Sequence, residues 1–255
     1  MTKPSGLMLA AAVLFMGLRT AAAAPPESWT TTSKAACKGL TVGWTPPLAA
    51  LQHVVGPRWR PAQGPVKGHG VLLLFATSCP RSRIGKTESG AFTLGAVIVP
   101  VENPADTHGI HQSNEHGWAV VPDALGTAAS PVLRLFKRHA FAVTDANVTL
   151  AIHNTAKGNQ ASMSFVTSKG RMQIHALVFG PAKRFDYVSA LAGTNASIFS
   201  VFTGPESATR QSQGSAEVST RGDTWVSRLN LDAQPKIVTL DQDFVWAFNF
   251  SEQPY

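Results

Sequence analysis

Residues 70–101 read GVLLLFATSCPRSRIGKTESGAFTLGAVIVPV, and the fold turns on them. Two apolar runs, 71–76 and 92–101, are rich in β-branched and aromatic residues and bounded by Gly and Pro. They are too short for buried helices and predict two neighbouring core strands. The connection 77–90 is polar and basic and carries Cys79, Arg81, Arg83, Lys86 and Glu88.

Upstream, 46–55 (PPLAALQHVV) starts with proline and has apolar Leu48, Leu51, Val54 and Val55, the spacing of a short helix that Gly56-Pro57 ends. Residues 25–36 read as a leader strand or loose arm. Downstream, strands are predicted at 118–121, 141–143, 148–153, 161–166, 171–179, 198–202, 216–220, 224–231 and 236–250. Hairpin chemistry marks the turns at 157–159, 168–170 and 221–223. The apolar run 131–136, leading into Lys137-Arg138-His139, is read as extended. The chain is therefore predicted to be mainly β: an antiparallel barrel or cone-like closed sheet of roughly nine to twelve strands, with one to three short helices.

The N-terminus has the parts of a secretory signal peptide over 1–23: Lys3, an apolar core at 7–18, and small residues at 21–24. Residues 24–255 are then one β-rich domain, secreted or periplasmic. No later segment is apolar for long enough to span a bilayer. The net charge of +7 falls to +5 without the leader, which holds Lys3, Arg19 and no acid. Basic residues are scattered, which argues against nucleic-acid binding and leaves a mild preference for anionic ligands. Two cysteines in an exported chain, Cys37 and Cys79, predict one disulfide worth roughly 3–4 kcal/mol.

Motif chemistry is sparse. Ile84-Gly85-Lys86-Thr87 suggests a phosphate loop, but Pro80 stands where its first glycine belongs and a strand follows instead of a helix. Asp106, His108, His111, Glu115 and His116 make a metal-capable cluster, with His108, His111 and His116 the candidate ligands; the spacing matches no catalytic zinc pattern. No other cofactor is indicated. A G-x-S-x-G elbow is absent. Lys137 follows an apolar stretch and adjoins Arg138; a lysine becomes a nucleophile toward carbonyls when desolvation or a neighbouring cation lowers its pKa.

The order of elements resembles the acetoacetate decarboxylase-like superfamily. The residues that carry this are LAALQHVVGPRWRP at 48–61, a core strand, an S-x-I-G loop, a second strand ending Val99-Pro100-Val101, and a lysine beside a second cation. The resemblance implies a cone-shaped barrel around a pocket, a Schiff-base lysine at Lys137, Arg138 as second cation, and Glu88 or Glu102 as acidic partner. In place of the family's proline-lysine pair the chain has Phe136-Lys137. Two functions follow as expectations. One is a lyase acting on a small keto acid or carbonyl compound through Lys137, which then lines the main cavity. The other is a non-catalytic secreted protein binding a small ligand, or a metal at the histidine loop.

Overall fold

A computed structural model describes residues 27–30, 37–84, 87, 88, 90–102, 118–184, 187–194, 198–204 and 208–251. The chain begins with β1 (Glu27–Thr30), β2 (Cys37–Trp44), α1 (Leu48–Val55) and β3 (Leu72–Cys79). Then come β4 (Arg83–Ile84), β5 (Thr87–Glu88), β6 (Phe92–Val101), β7 (Trp118–Gly126) and α2 (Pro131–Arg138). The middle of the chain forms β8 (Val143–Asp145), β9 (Asn147–Thr155), β10 (Gly158–Val166), β11 (Gly170–Phe179) and β12 (Lys183–Arg184). It closes with β13 (Tyr187–Gly193), β14 (Ile198–Gly204), β15 (Thr209–Gln211), β16 (Gln213–Gly222), α3 (Trp225–Arg228) and β17 (Ile237–Ser251).

The two runs that open the sequence analysis are β3 and β6, and they pair antiparallel, with Leu74 opposite Val97 and Cys79 opposite Phe92. They lie centrally in a 13-stranded sheet ordered β14-β13-β7-β6-β3-β2-β17-β1-β4-β5, to which β8, β12 and β15 attach. A separate four-stranded sheet runs β16-β11-β10-β9. The described residues are thus mainly β with three short helices. The large sheet is mixed rather than purely antiparallel. The strands divide between two sheets, and β7 pairs parallel with both β13 and β8.

One face of the large sheet packs on the small one. Leu40, Leu74, Val97 and Val99 share a core with Met163, Phe165, Ile174 and Val178. A β-carbon at Gly95 would overlap the Phe165 ring, so glycine there lets the sheets approach. The opposite face packs Phe75, Leu94, Val121 and Phe244 against α2. Strands covered on both sides read as continuous apolar runs, which is why 71–76 and 92–101 stood out.

Two predicted extended segments are helices. Ser130 caps α2, its hydroxyl accepting from the Leu133 amide at 3.4 Å, with Pro131 in the first turn. Val132, Leu133, Leu135 and Phe136 then form one buried face. Similarly, Thr224 and Ser227 cap each other reciprocally at the start of α3. Both helices were announced by caps rather than by period. The short helix predicted from residue 46 is α1, and Gly56, at φ +81°, ends it.

Cys37 and Cys79 form the predicted disulfide, with Cα atoms 4.3 Å apart. The bond joins strand ends: Lys38 pairs with Ser78 in the β2–β3 ladder, which sets the cysteines opposite each other. No helix among the described residues is long and apolar enough to cross a membrane.

Candidate functional site

The four residues proposed for carbonyl chemistry do not converge. Lys137 and Arg138 occupy the last turn of α2, and both are exposed. There they complement the negative end of the helix dipole. Glu88 lies in β5 and Glu102 just past the end of β6, and both are exposed. The expectation that Lys137 lines the main cavity is corrected for a simple reason: a helix, not a strand, carries it, and the buried face of that helix belongs to its apolar residues. His108, His111 and His116, with Asp106 and Glu115, lie outside the described residues. Among the histidines near apolar segments, His53, His153 and His175 are exposed, while His69 and His139 are half-buried.

An open cleft of about 700 Å³ is formed by the described residues. It lies beside the disulfide, between the ends of β2, β3 and β6, the start of α2, and β9. Among the described residues, Lys38 is the single charged side chain lining it. Ser78, Thr93, Thr127 and Ser130 contribute hydroxyls, and Val148, Leu150 and Ile152 form an apolar wall along alternate positions of β9. The arrangement suits an anion with an aliphatic body.

Among the described residues, the buried titratable chemistry sits elsewhere, at two aspartates. Asp241 on β17 is 5% exposed, and Arg210 of β15 grips both its oxygens at 2.6 and 2.8 Å. Burial nevertheless pushes the Asp241 carboxyl up, with Arg210 offsetting part of the effect. Asp123 on β7 is 7% exposed. Its Oδ2 accepts from the Thr144 hydroxyl and the Trp225 indole N–H, each at 3.0 Å. Desolvation again dominates and raises the Asp123 carboxyl above its usual range. Asp123 borders a pocket of about 200 Å³ formed with Leu125, Phe165, Met172, Trp225 and the rim residues Lys169 and Arg228. At that rim Arg228 is committed to Asp223, at 2.6 and 2.8 Å, which holds Asp223 below the usual carboxylate range.

The Lys38 cleft and the buried acids therefore do not coincide. For ligand binding the cleft has the size; for proton or charge chemistry the Asp123 pocket has the buried group. Sequence reasoning passed over Lys38, Asp123, Arg210, Trp225 and Asp241. A signal existed for the two acids. Asp123 is a lone charge in the otherwise apolar or small run VVPDALG, where an acid is rarely buried unless paired; Asp241 stands beside Gln242 and Asp243 in IVTLDQDF, a weaker signal.

No protein-family model matches the chain, and no curated protein sequence matches it. Solved structures do. An acetoacetate decarboxylase-like enzyme from Sphingomonas wittichii RW1 superposes with a TM-score of 0.61 at 9% identity, covering 91% of this chain and 94% of that one. The enduracididine biosynthesis enzyme MppR, complexed with pyruvate, gives 0.58 at 11% identity over 91% of both chains. Acetoacetate decarboxylase from Legionella pneumophila gives 0.52 at 11% identity, over 91% of this chain and 89% of that chain. Such low identity speaks to architecture and not to chemistry. The chain has the acetoacetate decarboxylase-like fold.

Proposed function

We propose that this chain is an exported small-molecule-binding protein on the acetoacetate decarboxylase-like fold, and that it holds a carboxylate with an aliphatic body in the Lys38 cleft. One observation carries the reading: a cleft of about 700 Å³ whose single charged lining residue, among the described residues, is a lysine set against an apolar wall. That volume falls inside the usual range for small-molecule sites. Export is supported by the leader at 1–23 and by the Cys37–Cys79 bond, since disulfides persist in oxidising compartments. The cone-like closure implied by the resemblance belongs to the same reading. Its support is β17, which pairs with β2 over its first half and with β14 over its second.

The lyase reading keeps the fold in its favour, because MppR is described in complex with pyruvate and the other neighbours are decarboxylase-like. It has no buried lysine at Lys137 to work with. Titration with octanoate and with pyruvate, followed by calorimetry, tests the binding reading. Octanoate binds more tightly than pyruvate, and Lys38→Glu weakens octanoate at least tenfold, about 1.4 kcal/mol. Unchanged affinity in Lys38→Glu rejects the cleft. Borohydride reduction in the presence of acetoacetate separates the lyase: covalent mass on Lys137 would restore it.

A further inference from the structure

Asp123 and Asp241 are equally buried, yet only one has its countercharge. Arg210 supplies Asp241 with a bidentate guanidinium at 2.6 and 2.8 Å. Asp123 receives neutral donors alone: the Thr144 hydroxyl and the Trp225 indole at 3.0 Å, and the Thr144 backbone amide. Arg228, the guanidinium whose charge acts on it, spends both hydrogen bonds on Asp223. A buried carboxylate without a cation is costly and demands either a proton or a positive partner. Asp123 also faces open space, about 200 Å³ of it, whereas Asp241 is sealed by its arginine.

We propose that the Asp123 pocket binds a small organic ammonium ion, whose charge does at Asp123 what Arg210 does at Asp241. The walls fit that class. Leu125, Phe165, Met172 and Trp225 offer a short alkyl body an apolar seat, with thioether and aromatic surfaces that tolerate varied shapes. Arg228 already lies over the Trp225 ring, 5.6 Å from its centroid, so the ligand's charge is met by the carboxylate and not by that ring face. At the rim, Lys169 and Arg228 stand against Asp145 and Asp223, two charges of each sign, which leaves Asp123 as the excess negative charge of the pocket. The volume lies below that of sites for drug-sized ligands, which restricts the ligand to a few carbons. The site is independent of the Lys38 cleft, with which it shares no lining residue.

Three four-carbon probes test this on the full-length mature protein near pH 7.5: butylammonium, butan-1-ol and butyrate, followed by ligand-observed NMR and tryptophan fluorescence. Butylammonium saturates with a dissociation constant at least tenfold below those of the neutral and anionic probes. Asp123→Asn, which keeps shape and removes charge, abolishes that preference, while Lys38→Glu leaves it intact. Equal binding of the three probes by the wild type, or none by butylammonium, overturns the proposal without recourse to any variant. A retained preference in a folded Asp123→Asn protein overturns it equally.

Discussion

The indole N–H of Trp225 donates to Oδ2 of Asp123 at 3.0 Å, a contact between residues 102 positions apart. It fastens the four-residue helix α3 to the large sheet and makes a buried acid part of the fold. Burial holds the Asp123 carboxyl above its ordinary range, so folding favours the protonated form relative to the unfolded chain. Its contribution to stability is full below the unfolded value and is lost as pH rises through the folded one. Asp241 acts with the same sign. Guanidinium unfolding from pH 4 to 8 therefore shows Asp123→Asn gaining on the wild type as pH rises. Parallel curves would mean that Asp123 is not the titrating group.

Arg210→Met leaves the Asp241 carboxylate buried without its two hydrogen bonds. The loss near pH 7 is about 1–3 kcal/mol, the range for an orphaned buried acceptor. Removing the cation raises the Asp241 pKa further, so the loss shrinks toward acid pH as the carboxyl takes up a proton. A pH-independent loss would assign the effect to lost packing of the arginine stem.

The Cys37–Cys79 bond closes a separation of 42 residues between two paired strands. Replacing both cysteines by serine costs about 4 kcal/mol on the chain-entropy account. Thermal melts of that variant and of the reduced wild type coincide, well below the oxidised wild type. A variant as stable as the oxidised protein would contradict this.

Helix α2 separates a residue that matters for stability from one that does not. Ser130→Ala removes the cap of the Leu133 amide and costs about 1 kcal/mol. Lys137→Ala, exposed in the last turn, changes stability by no more than about 0.5 kcal/mol. Denaturant midpoints of the two variants, compared side by side, check the contrast.

Gly95→Ala brings a methyl into the Phe165 ring at the contact between the two sheets. The cost is about 1–3 kcal/mol, as for other overpacked cores. Adding Phe165→Leu to the same chain recovers part of the loss, which a backbone-entropy effect at position 95 would not allow.

What the sequence determined by itself was local. The runs 71–76 and 92–101 became β3 and β6 because a strand buried on both faces has to be apolar throughout. The hairpins of the four-stranded sheet followed from turn residues at 157–159 and 168–170, where backbone geometry restricts the choice. The disulfide followed from there being two cysteines in a chain read as exported. Residues 131–136 were misread because Val132, Leu133, Leu135 and Phe136 suit either a weakly alternating strand or one face of a helix; the Ser130-Pro131 cap resolves it locally. The site was not legible in this way. Asp123, Thr144 and Trp225 come from β7, β8 and α3, and Lys38 meets the β9 wall only where two sheets approach. Convergence of that kind is set by strand order and sheet packing, long-range relations that no local spacing encodes. Tertiary structure alone therefore decided that Lys137 faces solvent and that a buried aspartate is hydrogen-bonded to no cation.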